Sequence, residues 1–225
     1  MALPNVILAS SSPRRREFME RLGLDFCIRA ADIDETPLPE EEPAALAVRL
    51  AENKAQAVNR RLSPDELPTL IIAADTVVAV ENTLLGKPAT EDEAWEMLRA
   101  LRHRDHHVIS AVSVLDAATG RQETRFSDTV VAMRNYRDDE IAAYIASGDP
   151  FDKAGGYAIQ HADFHPVESV AGCVAGVIGL PLGELTDLLA AFGVAIPDRV
   201  APICRLQTGF SCCRADDDHQ ASRMG

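Results

Sequence analysis

The run "TLIIAADTVVAV" at residues 69–80 constrains the fold more than any other stretch of the chain. It is almost continuously apolar, which is the pattern of a strand buried on both faces and therefore of a sheet covered on both sides. In its middle stands a single carboxylate, Asp75. A lone aspartate usually caps a turn, but apolar neighbours on both sides leave no room for one here. Ionised groups enter apolar surroundings only with partners, so Asp75 reads as a functional carboxylate.

The rest of the chain alternates short apolar strands with amphipathic helices, the pattern of an α/β domain. A strand at 6–9 leads into a helix at 12–22, which Ser12 can cap and Pro13 can open. A helix at 43–61 carries Leu50, Lys54 and Val58 four residues apart, which puts the lysine on its apolar stripe. "TEDEAWEMLRAL" has the capping-box pair Thr90 and Glu93. "HVISAVSVLD" and "TRFSDTVVAM" form two strands joined through Thr119-Gly120, and a helix at 138–147 stops at Gly148. "DPFDKAGGYAIQ" reads as a Gly-rich strand region, followed by a last helix with Leu185, Leu188, Leu189 and Phe192 on one face. The expected division is a domain at 1–196 and a partly disordered tail at 197–225.

The net charge of -13 excludes a sequence-independent nucleic-acid binder, which needs a basic face to displace counterions. No apolar run approaches the roughly 20 residues that cross a bilayer. The first residues have no basic segment of a signal peptide, so a cytoplasmic protein is expected. Five cysteines, three of them in the tail, make a secreted disulfide framework improbable and reduced thiols the expectation. Cys204, Cys212, Cys213 and His219 lack the paired spacing of a structural zinc site. The remaining histidines form no ligand pattern and read as surface or loop residues.

An acidic protein can still gather positive charge at one place. Arg14, Arg15 and Arg16 crowd the first turn of the first helix, where the helix dipole disfavours cations. An anion is expected there, met by the helix N–H groups, the hydroxyls of Ser10, Ser11 and Ser12, and the arginines. Lys87 in "LLGKP" and Lys153 in "FDKAGG" stand beside glycines in loops; singly, each reads as a surface lysine. No P-loop, dinucleotide fingerprint or nucleophile elbow is present. Glu35, in "DIDET", reads either as part of a solvated acidic loop or, paired with Asp75, as an oxygen ligand for a hard divalent cation bridging phosphates.

These stretches, in this order and spacing, resemble the Maf family of nucleoside triphosphate pyrophosphatases to about residue 196. The matching blocks are "LASSSPRRREFMERLGLDF", "DIDETP", "RLAENKAQAV", "AADTVV", "LGKP", "HVISAVSV", "DPFDKAGGYAIQ" and "GLPL". The resemblance implies an α/β fold like that of inosine triphosphatase-type enzymes, a mixed sheet flanked by helices with a two-lobed cleft, often in a homodimer. It implies hydrolysis between the α and β phosphates with Mg²⁺ or Mn²⁺. Asp75 matches the family's proton acceptor, Glu35 its metal-associated glutamate, and Lys54 and Lys87 its phosphate-binding lysines. "DKAGGYAIQ" is similar to the subgroup acting on dTTP and UTP, with specificity positions at Arg14, Thr76 and Gln160 and Lys153 within the same block. Two departures from the family stand out: Arg102-His103 replaces its usual Ser-Gly, and His161 its usual glycine after Ile-Gln. The rival readings are a 7-methyl-GTP or modified-nucleotide pyrophosphatase, and a nucleotide-binding regulator of division without catalysis.

Overall fold

The computed structural model describes residues 4–81, 83–196 and 200–215. Its centre is strand β3 (Thr69–Val80), buried at every position except the half-buried Thr76. On one edge β3 pairs antiparallel with β5 (Asp105–Asp116), from Leu70–Asp116 to Ala79–His107. On the other edge its partners change. Parallel pairing with β1 (Asn5–Leu8) ends at Leu8–Ile72, and antiparallel pairing with β4 (Thr83–Leu85) begins at Val78–Leu85. Between these two neighbours the edge of β3 is open beside Asp75. The sheet is completed by β2 (Cys27–Ile28) beside β1, and by β6 (Gln122–Met133) and β7 (Val167–Ala171) beyond β5.

Side chains of β3 alternate between the two faces, as a strand requires. Leu70, Ile72, Ala74, Val78 and Val80 enter the larger core. There they meet α1 (Pro13–Arg21), α3 (Glu91–Leu101), α4 (Asp138–Ala146), α5 (Val174–Ile178) and α6 (Leu182–Ala191). Ile71, Ala73, Val77 and Ala79 pack on the other face in the same two clusters as Leu46, Leu50, Ala51, Ala55 and Val58 of α2 (Pro43–Asn59). A mixed sheet covered on both faces is therefore what the chain forms.

Several local expectations hold and several are corrected. The hairpin from β5 to β6 turns at Gly120, with φ 75°, and Gly148 ends the α4 segment with φ 78°. Ser12 occupies the cap position of α1 without a side-chain capping bond; its N–H instead donates to Ser10 Oγ at 3.2 Å. Thr90 Oγ1 does accept from the Glu93 N–H at 3.2 Å, while the Glu93 carboxylate reaches back to the Ala89 N–H at 2.7 Å. The Gly-rich segment is not a strand. It coils through 3₁₀ turns at Asp149–Asp152 and Ala154–Gly156, because Gly155 and Gly156 adopt φ of 74° and 69°.

The segment expected to lose order carries a helix, α7 (Val200–Thr208), whose Val200, Ile203 and Cys204 enter the larger core together with Cys212. Burial of each aliphatic side chain contributes roughly 1.5–3 kcal/mol. Arg214 then clasps Asp187 of α6 through two bonds of 2.9 and 2.7 Å. His219 lies outside the described residues.

Of the two histidines standing where the resemblance expects glycine, one is strained. His103 has φ 56°, a left-handed conformation that a side chain disfavours. His161 does not have positive φ; its Nδ1 accepts from the Phe164 N–H at 3.0 Å, holding the next turn. His103→Gly is expected to raise the unfolding free energy by about 0.5–1 kcal/mol. Urea denaturation checks this, and an unchanged or lowered value refutes the strain.

Candidate active site

The open edge of β3 forms the floor of a cleft of about 700 Å³. All the site residues read from the sequence line it: Ser10, Ser12, Arg14, Arg15, Glu35, Lys54, Asp75, Thr76, Lys87, Lys153 and Gln160. Consecutive residues of a strand point to opposite faces, yet Asp75 and Thr76 reach the same cavity, because the break between β1 and β4 opens both faces to it.

On the α2 face, Lys54 completes a helical stripe of Leu46, Ala47, Leu50, Ala51, Ala55 and Val58. Lys54 is 8% exposed and Asp75 is 6% exposed. Lys54 Nζ lies 2.6 Å from Asp75 Oδ1 and 2.7 Å from Glu35 Oε1, bridging a buried carboxylate to a largely exposed one. Burial raises the Asp75 pKa above the usual carboxylate value, with Lys54 and Arg15 opposing the rise. A carboxylate in this state is held ionised by a cation while water hydrates it poorly, which makes it a stronger base than a surface aspartate.

On the opposite face, the arginines divide their roles. Arg16 turns outward to Glu20 at 2.7 Å. Arg15 is fixed from three sides: Nε donates to the Gly179 carbonyl at 2.8 Å, one terminal nitrogen to Ser10 Oγ and the other to Thr76 Oγ1, both at 3.3 Å. Burial pulls its pKa down, and Asp75 pulls it back up. Thr76 is tied in turn to Ser110 Oγ at 2.8 Å, and Ser110 donates to the Gly176 carbonyl at 2.6 Å. Arg14 reaches Asp152 at 3.3 Å.

Lys153 lines the cleft, but its ammonium is already engaged by Asp152 Oδ1 at 2.5 Å, by Asp149 Oδ1 at 3.0 Å and by the Asp149 carbonyl at 2.6 Å. Asp152 is paired in turn with Arg14. Lys87 and Gln160 are exposed at the rim, and neither is in an ion pair or side-chain hydrogen bond with a described residue. Sequence reasoning missed Asp152 and Ser110, which hold Arg14 and Thr76. It also placed His106 among surface residues, whereas His106 is 1% exposed with Nε2 2.7 Å from the Tyr157 hydroxyl. Alternation over the first four residues of β5, with Asp105 and His107 exposed and His106 and Val108 buried, was the available signal.

Among the described residues no three His, Cys, Asp or Glu side chains are grouped as a metal site. The oxygen donors of Glu35 and Asp75, brought together on one ammonium, suit a hard divalent cation that takes most of its ligands from phosphates and water.

Comparison with known proteins gives the family. The Maf-like protein family matches residues 5–192. The chain belongs to this family. A dTTP/UTP pyrophosphatase of Thermomicrobium roseum is 46% identical over 207 residues, covering 89% of the Maf chain described here and 91% of its relative. Proteins of the same description from Caldicellulosiruptor saccharolyticus and Chromobacterium violaceum are 41% and 45% identical, each covering 85% of this chain and 96% of the relative. A solved nucleoside-triphosphatase / dITP/XTP pyrophosphatase from Mycobacterium abscessus aligns with a TM-score of 0.41 at 12% identity over 84% of this chain and 95% of that one, a likeness too distant to inform the site.

The buried pair makes a prediction about stability. Asp75 binds its proton more tightly folded than unfolded, where its value is 3.8. Its contribution is therefore full below that value and is lost as pH rises through the folded pKa. Asp75→Asn removes the loss, so its Tm relative to the native chain should climb as pH rises above the unfolded value of 3.8. A difference that is flat or falls with pH refutes the assignment of burial as the dominant cause.

Proposed function

We propose that this Maf protein hydrolyses dTTP and UTP between the α and β phosphates, consuming one water and yielding the monophosphate and pyrophosphate. The observation that carries the reading is the meeting, at one break in the sheet, of a buried carboxylate-lysine pair on one face and a triply anchored arginine on the other.

Asp75 is the general base. Held ionised by Lys54 in a poorly hydrated setting, it accepts a proton from the attacking water at its carboxylate oxygen. Arg15 presents a guanidinium whose orientation is fixed before substrate arrives, so no reorganisation is needed as negative charge gathers on the pyrophosphate. Arg14 and Lys87 add charge at the rim, and the N-terminus of α1 with Ser10 and Ser12 receives phosphate oxygens. Glu35 and Asp75 are the residues that would hold Mg²⁺ or Mn²⁺, which when bound neutralises phosphate charge. Gln160, exposed at the rim, has an amide able to donate and accept, which suits a pyrimidine edge. Lys153 positions Asp152 and Arg14 for the substrate. The names of the relatives at 41–46% identity support the pyrimidine substrates. Among the described residues no helix is long and apolar enough to cross a membrane, and the reading places the enzyme with the cytoplasmic nucleotide pool.

The test is pyrophosphate release from dTTP, UTP, CTP, 5-methyl-UTP and 7-methyl-GTP with Mg²⁺, Mn²⁺ or chelator. The expected result is metal-dependent turnover favouring dTTP and UTP. Preference for 7-methyl-GTP overturns the subgroup, and binding without turnover overturns catalysis in favour of a regulator. Asp75→Asn should lower kcat by roughly 10²–10⁴-fold while remaining folded. Arg15→Lys should lower kcat more than it raises KM, because an ammonium cannot keep three anchors and stay aimed at the phosphates; an effect confined to KM refutes the preorganised role.

A further inference from the structure

Gln160 stands exposed on the wall of the cleft in a short irregular segment, and that segment is fixed more firmly than its exposure suggests. The His161 N–H donates to the Ala158 carbonyl at 3.2 Å, which closes a four-residue turn with Ile159 and Gln160 as its central pair. Each end of the turn is then held separately. Upstream, the Tyr144 hydroxyl of α4 accepts from the Ala158 N–H at 3.0 Å while donating to Asp149 Oδ2 at 2.9 Å. Tyr157, one residue earlier, is held by its hydroxyl to the buried His106. Downstream, His161 Nδ1 accepts from the N–H groups of Phe164 and Asp163 at 3.0 and 3.4 Å, so this nitrogen carries no hydrogen.

The two ends meet on one side chain. Tyr144 is 2% exposed; the His161 ring stands edge-on to it with centroids 4.8 Å apart, and Phe164 stacks on it at 4.4 Å. A glycine at position 161, the residue that the family usually carries there, would lose the acceptor and the ring contact together. It would relieve no strain, because His161 does not have positive φ. It would only add backbone freedom.

We infer that His161 and Tyr144 are positioning residues that hold the Gln160 turn as a rigid wall, and that this wall limits the cleft to a base of one ring. The inference rests on the pyrimidine triphosphate reading above and adds to it a means of rejecting purines. Elsewhere in the same cleft the phosphates meet Arg15, which three anchors keep from retreating. With the phosphates fixed there, the room left for the base is set by how far the Gln160 turn can yield. Uracil or thymine reaches Gln160 without moving it. A purine, longer by one ring, needs the turn to move outward, which breaks the bonds to Tyr144 and His161. Selectivity of this kind comes from a cost imposed on the wrong ligand rather than from added contacts to the right one.

The test measures dissociation constants for UTP and GTP with Mg²⁺ in the Asp75→Asn background, where binding is read without turnover, together with amide hydrogen exchange over residues 157–165 of the nucleotide-free chain. GTP is expected to bind more weakly than UTP. His161→Gly should speed exchange across the turn and narrow the ratio of the GTP constant to the UTP constant by about 2- to 5-fold, the equivalent of the freedom a glycine adds, by strengthening GTP while UTP stays unchanged. His161→Asn should restore both, because its Oδ1 takes the place of Nδ1. His161→Leu, which fills the space beside Tyr144 without an acceptor, should not. Tyr144→Phe keeps the ring and loses only the hydroxyl, so it repeats the test from the upstream end should His161→Gly fail to fold.

Unchanged exchange overturns the clamp, and faster exchange with an unchanged ratio overturns its bearing on base size. An equal loss of UTP and GTP binding reduces the two residues to a structural role and overturns the inference as well, and so does rescue by His161→Leu. Failure of the pyrimidine reading, which would overturn the inference with it, is told apart: GTP would then bind at least as tightly as UTP before any change at 161 or 144.

Discussion

The change of partner along one edge of β3 is the constraint on which the site depends. A strand of this length, buried along nearly all of it, must have its backbone groups paired. The fold supplies β5 continuously on one side but divides the other between β1, running parallel, and β4, running antiparallel. Ligand sites in open α/β sheets form where neighbouring connections diverge. Here the divergence falls inside a strand, so the cavity is floored by the strand's middle and receives side chains from both faces. The opening helix, which follows β1, and the Gly86-Lys87 turn, which follows β4, become the two walls.

Placing a carboxylate in that floor is costly. Desolvation of Asp75 and of Lys54 opposes their attraction, and such buried pairs seldom add net stability over an apolar replacement. The raised pKa of Asp75 shows which effect prevails: burial outweighs both Lys54 and Arg15. Glu35, sharing the ammonium from the solvent side, repels the Asp75 carboxylate and adds to the rise. Charges retained in this way, with a surrounding core of Leu50, Ala55, Ile71 and Ala73 that would accept apolar residues, are explained by chemistry rather than by folding.

Much of this was legible because the decisive signals were local. An apolar run interrupted by one aspartate, a lysine on a helical stripe, and three arginines against a helix dipole each violated an expectation of the ordinary fold, and each violation marked the cleft. What escaped sequence reading depended on contacts between distant segments. Lys153 looked like an available cation because nothing in "FDKAGG" reveals that the chain coils back and spends its charge on Asp149 and Asp152. Successive left-handed glycines, with Gly155 so near Val78 that a Cβ there would lie 3.1 Å from the valine side chain, also turned a supposed strand into a coil. The C-terminal helix was missed because it is short, and the value of its apolar residues lies in the surface that the larger core already presents to them.

The ion pair between Arg14 and Asp152 spans the cleft from α1 to the turn after α4. An incoming anion therefore competes with a carboxylate that is already in place. A singly charged ligand gains little by displacing Asp152, whereas a polyphosphate can release the arginine and still offer oxygens to Arg15, Lys87 and the helix end. The mouth thus sets a threshold on ligand charge. Under the proposed function it also gives the protein a way to let go: once the chain of phosphates is divided, neither fragment carries the full charge needed to hold Arg14 away from Asp152, and the restored pair favours departure of both.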